Sequence, residues 1–281
     1  MVVGPRGSVG TVGGSEMERL VVDRARDLLS RGESALLTYD LQYRKLGALD
    51  LACGGAVDVL IETLDSKKLG ALETWLLGIE SRRWVYTSTA LEPAAGGTRG
   101  LVYAEAGERG RPLGEIRQPD GSSMLVEEHP PRPHVLLAGG GHINAALAKQ
   151  LDGLEYFYTV VDPRPDFCSE SRFLPARARH CLEPETFIRR GSLKDFTYAV
   201  VCSHSQSLDF DAVRALLESR FAGGIGLIGS RSKKKDFEGR LKGLDFERVE
   251  IPIGLDIGAQ GVQEIALSIA ASLVRFHRAG R

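Results

Sequence analysis

Two rhythms of apolar and polar residues divide this chain. In the first, the stretch SEMERLVVDRARDLLSRGE (15–33) carries apolar side chains at Met17, Leu20, Val21, Ala25, Leu28 and Leu29. That spacing lines one face of a helix, with Ser15 placed to cap its start and Gly32 to stop it. The pieces SALLTYDL (34–41) and AVDVLIETL (56–64) read as strands on either side of the turn LACGG (51–55). A helix is predicted at about 66–80, followed by strands in RRWVYTST (82–89), RGLVYAE (99–105) and SSMLVEE (122–128), with Gly, Pro and Ser between them. This half predicts a small α+β domain over 1–128.

The segment EHPPRPH (128–134) is a proline-rich extended connector of the kind found at domain boundaries. Behind it the second rhythm begins. HVLLAGG (134–140) is a strand, GHINAALAKQLDG (141–153) a helix and YFYTVVD (156–162) a strand. After an irregular stretch come the strand FTYAVVCS (196–203), a helix over 208–219, the short strand GGIGLIG (223–229), a helix over 231–242 and a long helix within 260–278. Uninterrupted apolar strands alternating with helices imply a parallel sheet covered on both faces. Residues 133–281 therefore read as a doubly wound α/β domain.

Composition narrows the function classes. The 281 residues carry a formal net charge of −1, so neither nucleic acid nor an anionic membrane surface is an indicated partner. No apolar run approaches the roughly 18–20 residues of a membrane span. The opening MVVGPRGSVGTVGG has no signal-peptide core. Cys53, Cys168, Cys181 and Cys202 form no CxxC pair, which argues against a zinc knuckle or a disulfide framework. A cytoplasmic location is the resulting expectation.

Candidate chemistry sits at strand ends. Gly139, Gly140, Gly141, His142, Ile143 and Asn144 match the first two glycines of a GxGxxG turn between a strand and a helix. In such turns the first glycine makes the tight bend and the second lets backbone approach a pyrophosphate at the helix N-terminus. Asn144 at the third position is expected to crowd the helix–strand contact. Asp162 ends the next strand about 20 residues on, where a carboxylate is placed to accept from a ribose hydroxyl. A tight turn that binds no nucleotide is the competing reading. Ser203 and His204 close the third strand, with Asp209 beyond them, and Ser230 and Arg231 open the helix after GLIG. Serine, arginine and helix-terminal amides suit phosphate or another oxyanion. Lys233, Lys234 and Lys235 read rather as a solvated helix face. Gly-Gly beside Cys53 leaves room around its sulfur and supplies amides for a thiolate; a small buried hydrophobe is the alternative.

Taken together, GTVGG, LLTYDL, CGGAVDVLIE, AGGGHINAALA, VVDPRPDF, SHSQSLDFDAVRALL, GLIGSRSKK and IPIGLDIGAQGVQEIALSIAASLV follow one another in an order that resembles the xanthine dehydrogenase accessory factors, the XdhC/CoxI family, over essentially the whole chain. The resemblance implies a Rossmann-like C-terminal domain behind a smaller N-terminal one, commonly in a homodimer. It implies a carrier of the molybdenum cofactor (molybdopterin). Such a carrier shelters the cofactor while a cysteine desulfurase replaces an oxo ligand by sulfide, then helps insert it into an apo molybdenum hydroxylase large subunit. Cys53 matches the family's CGG cysteine, a thiolate for sulfur or molybdenum, and GGGHIN with Asp162 marks the expected cradle of the cofactor's phosphate or nucleotide part. Three departures stand out. The start resembles an entry past the family's first strand and turn, Ser15 replaces a glycine, and Ser203 stands where threonine is usual. No nucleophile–His–acid constellation is evident, which fits delivery better than turnover. Two readings from other classes stay open: an NAD(P)-dependent oxidoreductase, in which Asp162 favours NAD and His204 serves as acid or base, and an adaptor with a vestigial site.

Overall fold

The computed structural model describes residues 1–40, 55–81, 83–91, 100–107, 113–119 and 121–279. They fall into two compact units, Met1–Pro131 and Arg132–Arg281. The first opens with a hairpin, β1 (Val2–Gly4) and β2 (Gly7–Val9), ahead of helix α1 (Ser15–Arg31). Ser15 is not the cap of that helix but its first residue. The cap is Gly14 at φ 76°, a conformation glycine tolerates. The loose N–H groups ahead of the helix are gathered by Glu18, whose carboxylate accepts from the Val12 and Gly14 amides at 3.2 and 3.1 Å. Gly32 ends the helix as expected, left-handed at φ 68°.

Strands β3 (Ala35–Asp40) and β4 (Ala56–Ile61) pair antiparallel. The apolar stripe of α1, Met17, Val21, Ala25 and Leu28, is buried with Ile61, and Leu37, Val57 and Val59 pack against it. Helix α2 (Ser66–Glu80) is capped by Asp65, which accepts from the Lys68 amide at 2.8 Å. Strands β5 (Trp84–Ala90), β6 (Gly100–Gly107), β7 (Gly114–Arg117) and β8 (Ser123–His129) form an antiparallel sheet of order β6-β5-β8-β7. Cys53 lies outside the described residues.

The second unit alternates strand and helix in chain order. It runs β9 (His134–Ala138), α3 (His142–Gly153), β10 (Phe157–Val161), β11 (Ala178–His180), α4 (Pro184–Arg190) and β12 (Tyr198–Val201). It continues with α5 (Gln206–Glu218), β13 (Gly224–Leu227), α6 (Arg231–Arg240), β14 (Val249–Glu250) and α7 (Val262–Ala279). All neighbours pair parallel in the order β11-β10-β9-β12-β13-β14, the strand order of a dinucleotide-binding Rossmann domain. The stretch that read as irregular contains β11, α4 and a 3₁₀ turn at Pro165–Phe167.

Successive residues of a strand face opposite sides of the sheet, and here both sides are covered. Val135 and Leu137 pack with Leu147 and Leu151 of α3 and Ile269 and Leu273 of α7. Leu136 and Ala138 pack with Phe210, Val213 and Leu216 of α5 and Phe237 of α6. A fully buried leucine, isoleucine or valine contributes on the order of 1.5–3 kcal/mol, so the β9 run that read as continuously apolar holds two cores at once. Among the described residues no helix is long and apolar enough to cross a membrane.

Candidate functional site

In an open parallel sheet, ligands bind outside the carboxyl ends of the strands where the order of connections reverses. Here that point lies between β9 and β12, and the glycine turn occupies it. Gly139 (φ 111°) sits so close to the end of β12 that a Cβ there would lie 2.2 Å from the Cys202 carbonyl oxygen. A Cβ on Gly140 would meet the Phe167 carbonyl oxygen at 1.8 Å. Both positions need glycine. Gly141 differs: it caps α3 at φ −64°, ψ −179°, and a Cβ on it would have nothing closer than the Cys202 oxygen at 4.0 Å.

The backbone of the turn is held from every side. The Gly139 amide donates to Val161 O (2.8 Å), and the Gly140 amide to Asp162 Oδ2 (2.8 Å). The Gly139 carbonyl accepts from Asn144 Nδ2 (2.7 Å), and the Gly140 carbonyl from Arg172 Nε (3.0 Å). Asn144 was expected to crowd this contact; fully buried, it locks the turn through its carboxamide, while its Oδ1 has no protein partner. The consequence for ligands is simple. With Gly139 and Gly140 committed, the free donors are the first-turn amides of α3 beyond Gly141, which have no acceptor inside the helix.

Asp162, placed by sequence to meet a ribose, is 0% exposed. Besides Gly140 it accepts from the Arg164 amide (3.0 Å), Nε (2.9 Å) and Nη2 (2.9 Å). Four donors fill the acceptor positions of its two oxygens. Burial alone would raise its pKa; the Arg164 guanidinium and the two amides outweigh that and hold the carboxyl below its usual range. Arg164 in turn stacks over Phe167, 3.5 Å from guanidinium carbon to ring centre.

Beyond β12 a second aspartate has the same task. Asp209 in the first turn of α5 accepts from the Ser203 amide at 2.7 Å and from Lys233 Nζ at 2.6 Å. Lys233 also donates to the Ile228 carbonyl at 3.0 Å, so it bridges α5, α6 and the end of β13 and is no part of a solvated face. Lys234 and Lys235 are exposed as expected. The Ser203 hydroxyl is used inside its own loop, 2.8 Å from Ser205 O. Ser230 caps α6, its hydroxyl accepting from the Lys233 amide at 3.3 Å.

The sequence-predicted residues thus separate into two groups. Gly139, Gly140, Asp162 and Ser203 build the frame. His142, His204 and Arg231, all exposed, stand with Gly141 and Ser230 along the same carboxyl edge. Arg164, Arg172 and the Asp209–Lys233 pair carry the frame and had no motif to announce them. A cavity of about 530 Å³ lined by Leu193, Phe196, Ala215 and Phe221 lies toward the amino ends of β12 and β13, away from these residues. Among the described residues no cluster of three His, Cys, Asp or Glu is placed to hold a metal ion.

A family model described as the XdhC Rossmann domain matches residues 135–273, and one described as the XdhC and CoxI family matches residues 1–40. The chain is 25% identical over 284 residues to a probable xanthine dehydrogenase subunit from Bacillus subtilis (strain 168), a match covering 95% of this chain and 84% of that one. It is 29% identical over 161 residues to YqeB of Escherichia coli (strain K12), covering 54% of this chain and 29% of that protein. The crystal structure of a xanthine dehydrogenase from Bacillus halodurans has the same fold, with a TM-score of 0.80 over 99% of this chain and 86% of its own at 21% identity.

Proposed function

Because this chain belongs to the XdhC and CoxI family, we propose that it is a maturation factor for a xanthine dehydrogenase-type molybdenum hydroxylase. Its cargo is the molybdenum cofactor. It holds the cofactor while a cysteine desulfurase exchanges an oxo ligand for sulfide, then helps pass it to the apo large subunit. The observation that carries this reading is the split within the glycine turn: Gly139 and Gly140 are locked, while Gly141 leaves open space in front of the α3 amides. An anionic phosphate or pyrophosphate on the cargo fits that position. Arg231 and the first amides of α6 offer a second anion contact, and His142 and His204 offer imidazoles at the same edge. Cys53 supplies the soft thiolate for sulfur or molybdenum. A homodimer in a cytoplasmic setting is the form in which we expect it to act.

NAD(P) chemistry is the weaker reading. A dinucleotide's ribose would look for a free carboxylate after β10, and Asp162 is buried with four donors already on it.

The test is anaerobic titration with molybdopterin, followed by gel filtration with molybdenum and pterin measured in the protein peak. Gly141→Val should keep the fold, since its Cβ enters open space, and should weaken retention at least about tenfold. Equal retention by this variant would take the crevice out of the reading. Cys53→Ala should keep the cargo's phosphate end bound and lose activation of an apo molybdenum hydroxylase; full activation would remove Cys53 from it.

A further inference from the structure

Cys168 lies within the connection between β10 and β11, and Cys181 follows β11 directly. Parallel pairing brings them together. Val161 and His180 are register partners, and the Asp162 amide donates to His180 O at 3.2 Å, so Cys181 emerges from the sheet beside the turn that follows β10. Cys168 closes that turn. Its Sγ lies 3.6 Å from Pro165 O, and Cys181 Sγ lies 3.4 Å from Pro163 O. The two thiols thus lean on the same three-residue segment, Pro163 to Pro165. Their environments are unequal. Cys181 is exposed, whereas Cys168 is 8% exposed in the core behind the turn. The proposed carrier role uses neither.

We propose that Cys168 and Cys181 form a reactive thiol pair that closes to a disulfide by exchange with a small-molecule disulfide. The Cys181 thiolate, the one that solvent reaches, attacks a sulfur of the disulfide RSSR. A Cys181–S–S–R bond forms and RS⁻ leaves. Cys168 then attacks Cys181 Sγ, its proton going to a thiolate already released, and the second RS⁻ departs and is protonated. Two protein thiols lose two electrons and two protons to become one disulfide, and RSSR becomes two RSH. Burial first, with the neighbouring thiol and Asp162 adding to it, pushes Cys168 up to about 11. It therefore waits as a thiol until the mixed disulfide forms beside it. The closed bond ties β11 to the segment whose Phe167 carbonyl backs Gly140 and whose Arg164 holds Asp162, so it stiffens one wall of the crevice. This chemistry does not depend on what the crevice carries.

The test is an incubation of the full chain with oxidised glutathione, quenched by a maleimide and mapped with trypsin without reduction. Arg172, Arg177 and Arg179 separate the two cysteines, so a closed bond appears as two linked peptides that dithiothreitol releases. Wild-type protein should yield that linked pair, and its maleimide count should fall by two. In Cys168→Ser, the mixed disulfide should remain on Cys181 as a glutathionyl adduct, because nothing resolves it. In Cys181→Ser, Cys168 should stay unmodified. A stable glutathionyl adduct on wild-type Cys181, a linkage through Cys53 or Cys202, or no reaction at Cys181 overturns the proposal.

Discussion

The turn after β9 and the loop after β12 end two adjacent parallel strands, and a buried aspartate closes each of them. Asp162 takes the Gly140 amide and Asp209 takes the Ser203 amide, at 2.8 and 2.7 Å. Each carboxylate is paired with one cation. The sources of the cations differ. Arg164 is two residues from Asp162 in the same loop, so that pair is local and keeps the Arg164 amide as an additional donor. Lys233 reaches Asp209 from the next βα unit and lies 17% exposed. One pair shapes a turn; the other joins two consecutive units of the sheet. The first has a backbone donor on each carboxylate oxygen, whereas in the second one oxygen takes the Ser203 amide and the other the Lys233 ammonium.

The strongest way to break the comparison is at the glycine turn itself. Gly140→Ala puts a methyl 1.8 Å from the Phe167 carbonyl oxygen, a backbone atom that cannot move without the Asp162 loop. Overpacking of this kind costs about 1–3 kcal/mol where neighbours can yield and more where they cannot. We expect a variant that melts far below the wild type or does not accumulate as folded protein. A melting curve by circular dichroism within a few degrees of wild type would show that this wall is soft.

Removal of the cations separates the two aspartates. Lys233→Met leaves Asp209 buried with one carboxylate oxygen stripped of its donor, and should cost about 3–5 kcal/mol. Adding Asp209→Asn to that variant should restore part of the loss, because the uncompensated charge goes. Arg164→Met leaves Asp162 with an amide on each oxygen, and should cost only about 1–3 kcal/mol. Urea unfolding of the C-terminal unit in the full chain measures both. Equal losses would mean that the backbone donors do not insure Asp162. Acid sharpens the point. The folded pKa of Asp162 lies below its unfolded value, so its contribution is complete above about pH 4. It is lost as pH falls from there through the folded pKa, because over that window the unfolded chain takes up the proton first. In Arg164→Met that acid-induced loss should shrink, read as a flatter dependence of the melting temperature on pH below about 4.

These contrasts show what the sequence could and could not disclose. The parallel sheet was legible because β9, β10 and β12 are buried on both faces and leave unbroken apolar runs. By contrast, β11 is Ala-Arg-His and β14 is Val-Glu, and strands so short owe their pairing to neighbours. The glycine turn was legible as a motif, and yet its three glycines do different work, which depends on where Cys202 and Phe167 pack. The solvated reading of the lysines held for Lys234 and Lys235. It failed for Lys233, whose partner is 24 residues earlier on another helix. Spacing put Asp162 at the end of the second parallel strand, where it lies, but the arginine two residues on, which takes up its oxygens, changes what it offers a ligand. That Cys168 and Cys181 both pack on the Pro163–Pro165 segment is likewise a product of the parallel pairing, invisible to a search for CxxC.

The smallest expected effect on stability falls at the third glycine, and its sign is opposite to the others. Gly141 caps α3 with φ −64° and ψ −179°, an extended conformation that serine adopts without strain. Nothing lies within 4 Å of its Cβ position apart from the Cys202 oxygen at that limit. A serine hydroxyl there can accept from an amide of the first α3 turn, as the Ser230 hydroxyl does for α6. Gly141→Ser should therefore leave the fold unchanged or more stable by a few tenths of a kcal/mol, about the difference between the two residues as helix caps. If the proposed carrier role holds, the same hydroxyl would occupy an amide needed by the cargo's phosphate, and retention of molybdopterin should weaken while the melting temperature holds or rises. A drop in melting temperature would place Gly141 with Gly139 and Gly140 as a packing glycine. Unchanged retention at unchanged stability would leave the α3 amides without a ligand role.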